Sequence, residues 1–389
     1  MLFSSAAIGA AAEDQLSVFV GIGYDSNPYK ISSPEAVQGA AEYKVLTLNY
    51  QGDNHRSHHR PSHRPNQGNA KKANLRYRLG LQKDIYNRSS RAADNSRFDG
   101  HLRWIGRFKF AEKKANLMLS GDIRSERNTY YSQTQRQIAE TSDGDLIDNR
   151  FSFDALSLSA ELVYYADKKH SWSLLTQVGQ RNYREDYRDV GLEALDFNEF
   201  RLQPSFRYKA ESGANLRLFI YHKSRNYSAL HTARHNDLGT DPEGGSSLLE
   251  YSLNGYGAVF SKALHKNLDS SFYLSGYFAR DNGQGSRDLD YHRLTASLNY
   301  QLDSGANIEI NGQAYWRGYL NQQLSPEESE TGSFGGRRKG LIAEFVYSQQ
   351  LGFRSLRGLV TLRSEVEYNS VEVLGYQRQI VELGLQYQL

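Results

Sequence analysis

The chain has 389 residues, no cysteine and a formal net charge of +3. The missing cysteines exclude a disulfide framework, cysteine-based zinc sites and a cysteine nucleophile, and so small a positive surplus, spread along the chain without a basic tail, gives no ground for nucleic-acid binding. Tyrosine (27), phenylalanine (17) and glycine (33) are abundant, yet mean hydropathy is −0.68 and no run of about eighteen apolar residues occurs; this excludes a transmembrane helix but not a membrane β-barrel, in which only every second residue need be apolar.

The N-terminus reads "MLFSSAAIGAAAEDQ", an apolar run ending in Ala10-Ala11-Ala12 before Glu13. This suits a secretory cleavage site, although no Lys or Arg precedes the apolar run. Residues 1–12 are therefore expected to be the remnant of a signal peptide, with 13–389 as the mature domain. From there the chain alternates with period two. In "LTASLNYQL" one face holds Leu294, Ala296, Leu298, Tyr300 and Leu302 and the other Thr295, Ser297, Asn299 and Gln301, which is a strand with one apolar face. Asn307 to Arg317 behaves likewise. Strands of this kind are expected to begin near Leu16, Tyr43, Asn74, Arg97, Ala115, Phe153, Ser171, Phe197, Asn215, Tyr251, Ser271, Asp290, Asn307, Lys339, Leu359 and Gln379.

The connections alternate in length. "AEKK", "ADKKH", "AESGA" and "LDSGA" are short, whereas 25–42, 132–151, 228–249 and 320–337 are long. Short turns at one end and long polar loops at the other are the pattern of an outer-membrane barrel with its short turns in the periplasm. A tight turn and its ascending strand recur: "YKAESGANLRLFIYHKSRNY" (Tyr208–Tyr227) is echoed by "YQLDSGANIEINGQAYWRGY" (Tyr300–Tyr319) and more loosely by "YADKKHSWSLLTQVGQRNY" (Tyr165–Tyr183). The fold class expected is all-β, a transmembrane antiparallel up-and-down β-barrel of about sixteen strands, with fourteen to eighteen defensible, in a bacterial outer membrane with its lipid and lipopolysaccharide.

Two short stretches resemble known families. The opening strand "VFVGIGYDSNPYK" (Val18–Lys30) resembles the start of an uncharacterised β-barrel porin family and, more weakly, the C-terminal barrel of surface lipoprotein assembly modifiers. The assembly modifiers carry a tetratricopeptide region before the barrel, for which no room is expected here, and that departure weakens a lipoprotein-export reading. The final "ELGLQYQL" (Glu382–Leu389) resembles the terminal-strand signal read by the barrel-assembly machinery, with Leu389 where Phe is more usual. That resemblance implies the assembly machinery as a partner.

If the apolar face meets lipid, the other face lines the lumen. Parity then assigns to the lumen Arg76, Arg78, Arg103, Arg107, Arg124, Arg181, Arg201, Arg207, Arg217, Arg225, Arg293, Arg317 and Arg363, with Lys109 and Lys223. The acids assigned there are Asp122, Glu126, Glu161, Glu199, Glu309, Glu344, Glu365, Glu367 and Glu382. Two readings of this set stand side by side. Arg and Glu of neighbouring strands can pair and stiffen the wall, or a surplus of Arg can make a positive pore that concentrates anions. Arg181, Arg225 and Arg317, at the outer strand ends, are the first candidates for the second reading. Tyr183, Tyr227 and Tyr319 beside them are either pore-mouth aromatics that contact a sugar or members of an interfacial girdle.

The tract "HRSHHRPSHRP" (His55–Pro65) lies in a periplasmic insert expected over 51–73. Its His55, His58, His59 and His63 are a weak metal-binding candidate; a solvated basic tract contacting a periplasmic partner or lipid phosphates is the stronger reading. Neither Gly-x-Ser-x-Gly nor His-Glu-x-x-His occurs, His222 and His292 fall on lipid-parity faces, and no cofactor is implied, so an enzyme is not expected. The function expected is a porin-like aqueous pore for small anionic or sugar solutes. The alternatives are an export conduit for polysaccharide or surface lipoprotein working with periplasmic partners, and a non-conducting structural or surface-binding barrel. An acidic loop, "SPEESE" (Ser325–Glu330), opposite the Arg-rich wall would set a transverse field across the pore.

Overall fold

The computed structural model describes residues 15–27, 41–53, 74–87, 94–128, 131–132, 137–138, 151–183, 195–231, 247–282, 288–319, 337–352, 355–369 and 375–389. Sixteen of its strands close into one barrel. They are β1 (Gln15–Asp25), β2 (Ala41–Asp53), β3 (Asn74–Tyr86), β4 (Asn95–Phe110), β5 (Lys113–Asn128), β6 (Phe153–Tyr165), β7 (His170–Tyr183) and β8 (Phe197–Lys209), followed by β9 (Asn215–His231), β10 (Leu248–His265), β11 (Leu268–Asp281), β12 (Leu289–Gln301), β13 (Asn307–Tyr319), β14 (Arg337–Gln350), β15 (Leu356–Asn369) and β16 (Tyr376–Gln388). Each starts at its expected position or a few residues earlier. Every strand pairs antiparallel with its sequence neighbours, and β16 pairs with β1 to close the ring. A two-residue ribbon, Tyr131–Ser132 with Gln137–Ile138, stands apart from the barrel.

Period-two patterning decides which row faces which way. Val20, Ile22, Leu79, Leu158, Ile220, Ile310 and Leu362 all lie on the outer row with much of their surface uncovered, 63% for Ile220. So much exposed aliphatic surface needs lipid around it, and a closed barrel is the β form that leaves no unpaired edge inside a bilayer. Aromatic residues of the same row gather near both strand ends: Phe110, Trp172, Tyr300 and Tyr387 toward the turns, Tyr24, Trp316 and Tyr368 toward the loops. These are the two girdles that sit at membrane–water boundaries. The chain is an outer-membrane β-barrel.

The short turns show why the twenty-residue motif repeats. In 210–214 the Ala210 N–H donates to Ala214 O at 2.8 Å, the Gly213 N–H donates to Ala210 O at 3.1 Å, and Gly213 has φ +82°. In 302–306 the Leu302 N–H donates to Ala306 O at 2.8 Å, the Gly305 N–H donates to Leu302 O at 3.0 Å, and φ of Gly305 is +81°. The left-handed position calls for glycine, and Ser-Gly-Ala supplies it in both. Between β4 and β5 the turn is Ala111-Glu112, with φ of 48° and 64° at the two central residues, the backbone twist that matches a tight hairpin. Between β6 and β7, Asp167 Oδ1 accepts the N–H groups of Lys169 (2.6 Å) and His170 (2.8 Å), and its Oδ2 lies 2.9 Å from His170 Nδ1. The His170 side chain foremost, and then these two amides, hold the Asp167 carboxyl down at about 2.

The insert expected at 51–73 begins later than its sequence suggested. Residues 51–53 continue β2 in register with β3, Asp53 opposite Arg76, so the connection is 54–73. The period-two pattern past Asn49 is masked by Gly52 and by polar side chains, which is why the strand end was missed. Residues 1–12, the tract carrying His55, His58, His59 and His63, and the acidic loop with Glu327, Glu328 and Glu330 lie outside the described residues.

Candidate functional site

Every strand contributes its inner row to one closed wall. Arg76, Arg78, Arg103, Arg107, Arg124, Arg181, Arg201, Arg207, Arg217, Arg225, Arg293, Arg317 and Arg363 all occupy the row opposite the lipid-facing one, as do Glu309, Glu344 and Glu365. His222 and His292 are on the outer row, where His222 Nδ1 meets Asn254 Oδ1 at 3.0 Å and His292 Nδ1 meets Tyr256 OH at 2.8 Å.

Neighbours at the same height sort the inner arginines into two populations. Near the loop end most are matched. Arg124 bonds Glu126, Lys223 and Arg225 share Glu199 at 2.5 and 3.2 Å, and Arg97 grips Asp99 with two bonds of 2.6 and 2.9 Å. Arg338 reaches Glu367 at 3.4 Å, and Arg363 lies between Glu344 (3.5 Å) and Glu365 (2.5 Å). The acids come from the same strand two residues away or from the next strand, in register for Arg225–Glu199 and Arg363–Glu344 and two residues off it for Lys223–Glu199 and Arg338–Glu367, which puts both groups on one face. Deeper in the barrel this matching lapses. Arg78, Arg107 and Arg207 make no hydrogen bond or ion pair among the described residues. Among the same residues Arg103 Nη2 reaches only Met118 Sδ (2.5 Å), and Arg293 lies over the Tyr273 ring at 5.2 Å with no carboxylate.

The outer-end trio does not behave as one group. Arg181 is stacked between rings, 4.2 Å from the Phe153 centroid and 5.3 Å from that of Phe197. Arg225 lies 4.2 Å from the Phe197 centroid while bonded to Glu199. Arg317 sits opposite Arg338 and Tyr291 in register. Tyr183 packs on Phe153 (5.8 Å), and Tyr227 on Phe197 (5.4 Å) and Tyr251 (6.2 Å). These two tyrosines are on the inner row, while other residues form the girdles. The structure brings Arg181, Arg225, Tyr183 and Tyr227 into one aromatic and cationic cluster under the loops of β6 to β10. Tyr319 closes β13, and its side chain is outside the described residues.

Sequence reasoning missed the keystones of that cluster. Phe153 and Phe197 are almost fully buried on the inner row, and the signal available was parity: Phe197 is in step with Arg201, and Phe153 with Glu161. It also missed a device that keeps the wall thin. Inner-row rings lie flat over glycines of the next strand, so that a Cβ on Gly255 would come within 2.1 Å of Tyr221 Cζ, one on Gly257 within 2.1 Å of Phe219 Cζ, and one on Gly340 within 2.2 Å of Tyr315. Those rings turn their faces toward the lumen, and Arg201 uses one, lying 4.2 Å over Tyr221.

A hollow of about 420 Å³ opens on this wall toward the turn end, across β4 to β9. Arg103, Arg207, Arg217 and Glu161 ring it, and Ser171, Ser173 and Ser205 lie among them. Among the described residues no group of His, Asp or Glu is placed to hold a metal ion.

No family model matches the chain, and no curated protein matches it. Solved barrels are similar in shape. OccAB4 of Acinetobacter baumannii is 8% identical with a TM-score of 0.42, over 97% of this chain and 98% of that one. The outer membrane protein OprD of Pseudomonas aeruginosa is 10% identical, TM-score 0.41, over 97% and 94%. CdiB of Acinetobacter baumannii is 9% identical, TM-score 0.49, over 96% of this chain and 60% of that one. These likenesses are to barrels as such and say nothing of what crosses this one.

Proposed function

We propose that the barrel is a porin-like aqueous pore that favours small anions. The observation that carries the reading is the set of inner-row guanidiniums without a carboxylate among the described residues: Arg78, Arg103, Arg107, Arg207 and Arg293. A fixed charge of one sign on a narrow wall of low dielectric raises the local concentration of counter-ions, and rings of Arg or Lys are a known means of passing anions. Arg suits the role because its fork binds carboxylate and phosphate oxygens pairwise and it stays protonated at any working pH. The matched pairs nearer the loops stiffen the entrance and contribute little net charge. The sugar reading rests on the flat inner-row rings of Phe219, Tyr221, Tyr273 and Tyr315, and is the weaker of the two because Arg201 and Arg293 already cover two of those faces.

The test is single-channel recording of the refolded protein in a planar bilayer under a salt gradient. A steady conductance with a reversal potential on the anion side is expected, moving toward zero selectivity in Arg103→Gln/Arg107→Gln/Arg207→Gln. A cation-selective pore, or no conductance, would overturn the reading.

A further inference from the structure

The hollow on β4 to β9 has the makings of a discrete binding site, and the inference drawn from it rests on the pore reading only for how a ligand reaches it. Arg207 and Arg217 stand directly opposite each other in the β8–β9 register. Like charges in that position repel. Arg217 has Glu161 at 3.6 Å, and once those two are set against each other the charge of Arg103 and Arg207 remains. Both line the same hollow, and neither meets a carboxylate among the described residues.

Hydroxyl groups complete the lining. Ser173 Oγ and Ser205 Oγ lie 2.6 Å apart. One hydrogen serves that bond, so the other hydroxyl hydrogen of the pair is left to donate. Tyr165 OH accepts from Asn116 Nδ2 at 3.0 Å, which leaves its own hydrogen to donate. The short side chains of Ser171, Ser173 and Ser205 on the wall between the arginines leave the space unfilled.

We propose that this hollow binds a doubly charged tetrahedral oxyanion, with inorganic phosphate as its simplest ligand. Two guanidiniums match its charge, and the N–H and O–H donors that line the hollow match its crowd of acceptor oxygens. Glu161 gives the site its selectivity. A singly protonated phosphate has one O–H to give, and a carboxylate can accept it. Sulfate has no hydrogen at neutral pH, so against Glu161 it meets only repulsion and an unmade bond. The site therefore prefers phosphate to sulfate although their size and charge are similar.

The experiment is isothermal titration calorimetry of the full-length barrel, refolded in detergent near neutral pH, with phosphate, sulfate and acetate as separate titrants. One saturable phosphate site is expected, with sulfate and acetate each weaker by roughly tenfold or more. Arg207→Gln and Arg103→Gln, on different strands, should each weaken phosphate by roughly tenfold, and Glu161→Gln should bring phosphate and sulfate together. The heat-dependent shift of the barrel's band in gel electrophoresis checks that each variant is folded. No phosphate binding, or binding indifferent to both arginine variants, overturns the site. Equal binding of acetate overturns its tetrahedral class in favour of carboxylates. Calorimetry needs no ion flow: a conducting, anion-selective barrel without phosphate binding defeats only this inference, and a barrel that binds phosphate but does not conduct defeats only the pore.

Discussion

The wall on either side of the closing seam and the wall across β4 to β9 are built from the same residue types to opposite ends. At the seam Asp25 is wholly buried and Arg378 clasps it with bonds of 3.0, 3.0 and 2.5 Å, while Tyr86 OH donates to the same carboxylate at 3.1 Å. Arg378 also lies 3.9 Å from Glu365, and Tyr43 OH donates to Glu382 at 3.0 Å. Around these groups Ala41, Tyr43, Val45, Tyr86 and Ile380 form a small apolar core with Phe19 packed on it. Across the lumen, Arg207 and Arg107 face open space without a partner among the described residues. A charge can be left unmatched where water reaches it, but a buried one needs a partner. The seam pairs the first strand with the last and holds the buried Asp25, so it is where matching matters most.

The largest expected effect breaks the clasp. Arg378→Gln leaves Asp25 buried and uncompensated, which should lower stability by about 3–5 kcal/mol. Arg207→Gln removes a charge that faces water and should change stability by less than about 0.5 kcal/mol. Denaturant unfolding of both in lipid vesicles makes the comparison. If they cost the same, the two walls do not differ in the way described.

A second contrast uses glycines that carry rings on each wall. At the seam a Cβ on Gly384 would meet Phe19 Cε2 at 2.1 Å and the backbone Val20 O at 2.9 Å, and Phe19 is packed on the small apolar core. With a backbone oxygen as well as the ring in the way, Gly384→Ala should cost about 1–3 kcal/mol. On the other wall the three atoms nearest a Cβ in Gly255→Ala all belong to the Tyr221 ring, an inner-row side chain with the lumen to swing into. It should cost less than Gly384→Ala in unfolding experiments but lower single-channel conductance. If conductance is unchanged, Tyr221 does not border the conducting path.

How much of this could be read beforehand depends on range. The barrel was legible because alternation is local: from Leu294 to Leu302 each residue declares its face without reference to any other strand. The sixteen starts followed from it, and so did the inner row that carries Arg207 and Glu161. Which arginines are matched was not legible, because a partner lies on another strand and register decides it. The trio chosen at the outer end shows the limit, since Arg225 has Glu199 opposite it in register while Arg207 has Arg217. The Gly-Tyr-Asp-Ser-Asn stretch of the opening strand is visible as a motif in the sequence, but its physical reason is not. In the fold Asp25 holds Arg378, Ser26 N–H donates to Gln379 O at 2.9 Å, Ser26 Oγ accepts the Gln379 N–H at 2.7 Å, and Asn27 Nδ2 donates to Gln377 O at 2.9 Å. The motif fastens the first strand to the last across almost the whole length of the chain, a relation no local reading contains.

The smallest effect belongs to the turn that joins β6 and β7 beneath the phosphate hollow. Asp167 is exposed, and its carboxyl is held at about 2, below an ordinary carboxylate, foremost by the His170 side chain and then by the amides of His170 and Lys169. The folded value lies below the unfolded one, so its contribution is complete above the ordinary carboxylate range and is lost as pH falls through about 2. Hydrogen exchange of the Lys169 and His170 amides should therefore stay slow in mild acid and quicken only near that pH. Asp167→Asn keeps a side-chain acceptor but loses the charge, and its amides should exchange faster at every pH above about 2 while barrel unfolding and phosphate binding stay unchanged. A fall in phosphate affinity in Asp167→Asn would mean that the hollow depends on the turn below it, and the basic wall would then be less self-sufficient than the cross-strand placement of its arginines implies.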